Sequence, residues 1–314
     1  MISISIIVAT YNRPNALRDT LLSFQSLDPG PLEILVVDQS ESPPADHVAW
    51  LSAHQAEHRE VRWIRHSPPN AQGARNRGIR EARGDVVLFV DDDVEVPADL
   101  VGRHWSNYVD PHLAAVSGMI LEPGESPVHE LPARCNRSKI GWIYAPLNYG
   151  VRSERINLSS CNCSIRREHA LAVGGFDENF TRTLFDDTDL AWRLHVYCRE
   201  KCLKVVHDPQ AWLTHLRVQN GGNRPGRRNE FVVADANAWY TWCYFHFQHA
   251  CWESFRTLMQ RYRWWVWHRK NILRPWWLVS AHREMLAGML RARRAITAGP
   301  RLLPGDKLRS EAER

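Results

Sequence analysis

Four strand-like runs, Ile4–Ala9, Leu32–Val37, Val61–Arg65 and Val86–Val90, alternate with helix-compatible stretches along the first third of the chain. After the first run, Leu17, Leu21 and Phe24 fall on one helical face. Residues 47–58 and 72–82 are the next two helix-compatible stretches. The resulting βαβαβαβ order predicts a mostly parallel sheet with helices on both faces and right-handed crossovers. Open sheets of this kind gather ligand contacts at the carboxyl ends of their strands. Thr10–Arg13, Asp38 and Asp91–Asp93 should therefore lie close in space although far apart in sequence. None of these ends carries GxxxxGK[ST] or GxGxxG, which argues against a P-loop NTPase or an ordinary dinucleotide-binding domain.

The fourth run, Val86-Val87-Leu88-Phe89-Val90, ends directly on Asp91-Asp92-Asp93. Like charges this close repel, so a site that keeps several of them ionised usually supplies a cation, and oxygen ligands favour Mg2+, Mn2+ or Ca2+. The same triplet also fits a solvated acidic turn leading into a helix near Pro97-Ala98-Asp99.

With 314 residues the chain can bury a large core. Its first residues lack a basic n-region and read as a strand rather than a secretory signal. No stretch reaches the roughly 18 uninterrupted apolar residues of a spanning helix. Seven cysteines without a CxxC pair fit reduced thiols, and the spacings Cys161-x-Cys163 and Cys198-x3-Cys202 are poor for zinc. A cytoplasmic protein is expected.

The segments at the strand ends form an ordered set: Val8-Ala9-Thr10-Tyr11-Asn12-Arg13-Pro14, Val36-Val37-Asp38, Gly73-Ala74-Arg75-Asn76-Arg77-Gly78 and Asp91-Asp92-Asp93. Cys161-Asn162-Cys163-Ser164-Ile165-Arg166-Arg167, Gly174-Gly175-Phe176-Asp177-Glu178, Phe185-Asp186-Asp187-Thr188-Asp189-Leu190 and His215 follow downstream. In these motifs and their order the chain resembles family 2 glycosyltransferases of the GT-A fold, over roughly residues 3 to 220.

The resemblance implies an inverting transferase that moves a sugar from a nucleotide donor of UDP, GDP or dTDP type to a saccharide or lipid-linked acceptor. It implies a divalent cation, Mn2+ or Mg2+, with Asp93 a direct ligand, Asp91 nearer the ribose or a metal-bound water, and His215 a further ligand. Thr10, Tyr11, Arg13, Asp38, Arg75 and Asp92 would then contact the donor. Asp187 maps to the base that deprotonates the acceptor, and Asp186 replaces the family's usual Glu. Asn162 and Gly174 fall in the segments associated with the sugar and acceptor pocket. Gln260-Arg261-Tyr262-Arg263-Trp264 fits the QxxRW pattern of processive members, in which the tryptophan helps hold the acceptor; without flanking spans, transfer of one or a few sugars is expected.

Two regions lie beyond the motifs. Arg217–Arg228 is glycine-rich and basic, and reads equally as a lid carrying Arg224, Arg227 or Arg228 and as a linker. Residues 221–314 read as a helical, tryptophan-rich extension to a 1–220 catalytic domain, and residues 256–314 hold 14 Lys/Arg against 4 Asp/Glu. Basic aromatic helices suit the surface of an anionic membrane, here its inner face, with core packing or a dimer interface as the competing reading. No nucleic-acid module is recognisable. A nucleotidylyltransferase lacks its Gly-rich activating loop here, and a catalytically silent sugar-nucleotide-binding protein would be expected to have lost one acid cluster, whereas both are intact.

Overall fold

The structure, a computed structural model, describes residues 2–131, 146–154, 157–180, 185–218, 235–249, 252–267, 272–273 and 275–304. The alternation holds. β1 (Ile4–Thr10), β2 (Glu33–Asp38), β3 (Val61–Arg65) and β4 (Val86–Asp91) are parallel neighbours, linked by α1 (Pro14–Ser23), α2 (Ala45–Glu57) and α3 (Ala71–Glu81). Pro14 opens α1, where its missing N–H costs nothing, and the Asn70 side chain caps α3 by accepting from the Gly73 N–H at 2.9 Å.

The chain continues through β5 (Val94–Glu95), α4 (Leu100–Asn107), β6 (Leu113–Leu121), β7 (Ser153–Glu154), β8 (Asn162–Arg166), α5 (Arg167–Ala172), α6 (Asp186–Lys201) and β9 (Lys204–His215). The sheet order is β3-β2-β1-β4-β8-β6-β9-β5, with β7 beside β9. β8 is antiparallel to both β4 and β6, so the sheet is mixed at its centre.

Because side chains alternate across a strand, each strand feeds two cores. Ile4, Ile6 and Val8 of β1 join Leu17, Leu21, Leu51 and Leu100 on one face. Ile7 joins Ile79, Phe176, Leu190 and Leu194 on the other. At roughly 1.5–3 kcal/mol per buried large aliphatic side chain, these two layers are the main force fixing the strand ends.

The β6–β9 pairing slips between Gly118 and Met119, and the carbonyls of Met119 and Ala211 flank the irregularity. Asn162, fully buried, donates its amide to both carbonyls at 2.9 Å each and accepts from His104 at 2.9 Å. A Cβ on Gly118 would lie 2.3 Å from both the Ala211 carbonyl and the Asn162 amide, which explains glycine there.

The C-terminal part adds α7 (Ala236–Gln248), α8 (Trp252–Trp265) and α9 (Pro275–Ala298). Trp239, Trp242, Tyr244 and Phe245 of α7 pack with Phe180 and Phe185 into a third buried cluster. The chain then returns to the sheet domain, where the Leu303 N–H donates to the Gly174 carbonyl at 2.8 Å. Trp239, Trp242 and Trp265 therefore belong to core packing, whereas Trp264, Trp267 and Trp276 stay exposed.

Gly118→Ala is expected to lower stability by about 1–3 kcal/mol through overpacking against fixed backbone. Urea denaturation would read this, with Gly30→Ala, whose added Cβ meets nothing closer than 3.9 Å, as the control that should remain near wild type.

Candidate active site

Sheet register brings the motifs together. Thr10 pairs with Asp38, Ala9 with Asp91, and Val94, just after the acid triplet, with His215 at the end of β9. The first turn of α6 adds Asp186 and Asp187 after Phe185, which sits in the left-handed region at φ 66°. Between them lies a cleft of about 870 Å3, counting its open mouth. Tyr11, Arg13, Arg75, Asp91, Asp92, Asp93, Asp186, Asp187 and His215 all line it.

The three acids of the triplet have different surroundings. Asp92 accepts from the Thr10 hydroxyl at 2.6 Å and pairs with Arg13 at 3.0 Å. Burial nevertheless pushes its carboxyl up to about 6, with Arg13 opposing the shift. Asp93 is also buried, held by Arg13 at 3.1 Å, His215 Nε2 at 3.1 Å and the Val218 N–H at 3.0 Å. Asp91 is the one that faces the cleft, with its side chain 25% exposed.

Arg75 ties the triplet to the second acid pair. Its guanidinium lies 3.3 Å from Asp186 and 3.5 Å from Asp91, and over the Phe176 ring at 5.4 Å. Gln72 donates to the same Asp186 oxygen at 2.8 Å. Asp187 is held on one side by Ser160, while among the described residues its buried Oδ1 has no hydrogen-bond partner. Burial and the like charge of Asp186 push the Asp187 carboxyl up to about 7.

A divalent cation fits the donor set at the cleft floor. A carboxylate oxygen of Asp91, Cys161 Sγ and a ring nitrogen of His215 lie within 4.8 Å of one another. Asp93, expected as the direct ligand, has its two oxygens engaged by Arg13, Val218 and His215 in this arrangement.

Several expected residues sit elsewhere. Thr10 stands behind Asp92. The Asp38 carboxylate is taken up by Arg65 at 2.7 Å, Trp63 at 3.2 Å and the Ser40 N–H at 2.8 Å, and its neighbour Gln39 lines the cleft instead. Asn162 faces away from the cleft, into the β6–β9 slip. Gly174, at φ +80°, ends α5 and packs against Leu302. Trp264 is 62% exposed and outside the cleft, while Arg261 of the same segment lies over the Trp242 ring at 4.4 Å. Asp189, in the first turn of α6, pairs with Arg193 at 2.7 Å and His249 at 2.8 Å. Arg224, Arg227 and Arg228 fall outside the described residues.

Sequence reasoning missed Gln39, Gln72, Ser160 and Cys161. Gln39 and Gln72 each adjoin or precede a flagged motif by a few positions, so the signal was present. Ser160 and Cys161 form the turn that enters β8, whose neighbours in the sheet are remote in sequence, and pattern alone does not reveal the pairing.

An α/β sheet domain with acids gathered at its strand ends and a second acid pair opening a later helix is the arrangement of a GT-A transferase domain. Residues 5–173 match the family description "Glycosyl transferase family 2", and the chain belongs to that family. It is 26% identical over 218 residues to a pre-mycofactocin glycosyltransferase of Mycobacterium tuberculosis, covering 68% of this chain and 42% of the relative. It is also 26% identical over 235 residues to the succinoglycan biosynthesis protein ExoM of Rhizobium meliloti, covering 69% and 72%. The chain thus spans under half the length of the mycobacterial relative. The solved structure of GalNAc-T7 with UDP, GalNAc and Mn2+ superposes with a TM-score of 0.56 at 14% identity, over 97% of this chain and 59% of that one, a likeness of fold.

Arg13→Ala would leave two buried carboxylates without their guanidinium, and is expected to cost about 3–5 kcal/mol at neutral pH. The loss should shrink towards pH 5, because Asp92, already titrating near 6, takes up a proton and ends the repulsion. Denaturant titrations at the two pH values measure both.

Proposed function

We propose that this chain transfers a sugar from a nucleoside diphosphate donor to an acceptor hydroxyl with inversion, using Asp187 as the base. The observation that carries the reading is the asymmetry of the acid pair. Asp186 is held by Arg75 and Gln72, while Asp187, on the cleft lining, keeps one oxygen without a partner among the described residues and has a carboxyl raised towards neutrality. A base poised near the working pH has the best balance of availability and strength.

In the proposed reaction the acceptor oxygen forms a bond to the anomeric carbon, the bond from that carbon to the diphosphate oxygen breaks, and the acceptor proton passes to Asp187 Oδ1. No protein nucleophile intervenes, so configuration inverts. A divalent cation at Asp91 and His215, when bound, supplies Lewis-acid neutralisation of the departing diphosphate. Mn2+ in the structurally similar GalNAc-T7 complex supports this choice, and UDP there supports a nucleotide donor. Tyr11 offers an aromatic face, and Arg13, Gln39 and Arg75 offer donors, along the wall where a nucleotide would lie.

We also infer that the acceptor side of the reaction takes place at an anionic membrane surface, in polysaccharide or glycolipid assembly as in the ExoM relative. Trp276, Val279, Leu286 and Leu290 form one exposed stripe along α9, with exposed Arg283 and Arg294 in the same helical register. Exposed Trp264, Trp267 and Arg263 lie on α8 or just beyond its end. Trp and Leu for the acyl boundary, with arginines for lipid phosphates, are what such an interface needs. Among the described residues no helix is long and apolar enough to cross a membrane.

Asp187→Asn is expected to cut transfer at least 100-fold while donor binding stays within about threefold. For the wild type, kcat/KM should fall as pH drops through about 7, since protonated Asp187 cannot accept the acceptor proton. A pH profile flat down to 5 would refute the assignment. Sedimentation with phosphatidylglycerol vesicles should capture the wild type, whereas Trp276→Ser/Leu290→Ser should remain in the supernatant; equal capture by phosphatidylcholine would remove the electrostatic part of the claim.

A further inference from the structure

Cys161 packs in the apolar layer with Val90, Ile120 and Leu213, and it also lines the cleft. β4 and β8 run antiparallel with Val90 opposite Asn162, so the next step along the ladder sets Asp91 against Cys161. The thiol is 5% exposed, yet it is on the lining of the cleft and hydrogen-bonds Asp91. On its far side is His215, delivered by β9 through the Val94–His215 pairing. Three donor atoms of different chemistry, from three separate strand ends, thus lie within 4.8 Å of one another. Cys163, two residues on, belongs to the apolar layer with Phe89 and Phe176 and is not in this group.

We propose that Cys161 is a ligand of the divalent cation, giving a mixed Asp91–Cys161–His215 site that favours borderline ions such as Co2+ or Zn2+ over Mg2+ and Ca2+. The inference rests on the proposed metal-dependent reading of the cleft and adds to it a sulfur donor. A thiolate strengthens the preference for Co2+ or Zn2+ over Mg2+ that imidazole begins, because hard ions gain little from sulfur. Binding displaces the thiol proton, so the S–H bond to Asp91 is exchanged for a sulfur–metal bond and one proton is released to solvent. Asp93 lies beside this group, 3.1 Å from His215 Nε2, and is itself neutralised by Arg13.

Co2+ reports sulfur ligation by a near-ultraviolet charge-transfer band that oxygen and nitrogen ligands do not give. Titrating the full chain with Co2+ should develop that band together with the visible ligand-field bands. Cys161→Ser should lose the charge-transfer band and keep the visible bands, Asp91→Ala should lose both, and Cys202→Ser, at the exposed thiol, should keep both. In competition, the ratio of Cd2+ to Mg2+ affinity should fall at least tenfold in Cys161→Ser, with a cooperative metal-free melting curve showing that the variant is folded. Visible bands without the charge-transfer band in the wild type would overturn the role of Cys161 while leaving the metal site intact. Absence of Co2+ uptake altogether would overturn both this inference and the metal-dependent reading beneath it.

Discussion

Five carboxylates, Asp91, Asp92, Asp93, Asp186 and Asp187, converge on one cleft, and their mutual repulsion is the constraint to which the surrounding structure answers. Two arginines divide the task. Arg13 is buried between Asp92 and Asp93 and also reaches the Val218 carbonyl, so it fixes the chain just after β9 to the triplet. Arg75 spans Asp91 and Asp186, which joins the strand ends to the helix that opens the second pair. Neither arginine reaches Asp187 closely, and its carboxyl is the one pushed up to about 7. Uneven compensation separates a fixed acid from an available one.

The C-terminal helices take part in the same arrangement. Phe185, the residue that turns the chain into α6, stacks on Phe245 at 4.8 Å and meets Trp242 edge-on at 4.6 Å. Its left-handed backbone is unfavourable for a bulky side chain, and the aromatic cluster supplies the burial that holds it there. Tyr244 donates to Asp177 at 2.5 Å and Tyr240 to the Asn179 carbonyl at 2.7 Å, anchoring the turn that precedes the acid pair. The extension is therefore part of the support of Asp186 and Asp187 as well as the bearer of the exposed Trp–Arg stripe.

Much of this was legible in sequence. The four parallel strands and their helices follow from short apolar runs alternating with helix-compatible stretches, and the acids at their ends follow from the general placement of ligands in such sheets. What was not legible depends on contacts across long separations. Nothing local says that β8 inserts between β4 and β6, and without that pairing Cys161 cannot be set beside Asp91. Asn162 was read as a pocket residue because it sits in a motif, yet its neighbour Cys161 reaches the cleft and Asn162 turns to the slipped ladder. Asp38 was read as a base-recognition acid, but Arg65 and Trp63, one strand away in the sheet, satisfy it.

The contrast between Asn162 and Cys161 shows how one β-strand entry serves stability and chemistry at once. Asn162 donates to two carbonyls that flank the β6–β9 irregularity, each worth about 1–3 kcal/mol if left buried and unpaired. That fixes the height and rotation of the strand at its first residue. Cys161, immediately before it, inherits the fixed position and is carried to Asp91 and His215. A donor atom positioned by its neighbour's hydrogen bonds loses little conformational freedom when it meets a ligand, which is the condition for a preorganised site. The motif around Asn162 thus shapes the cleft indirectly, through the backbone it immobilises.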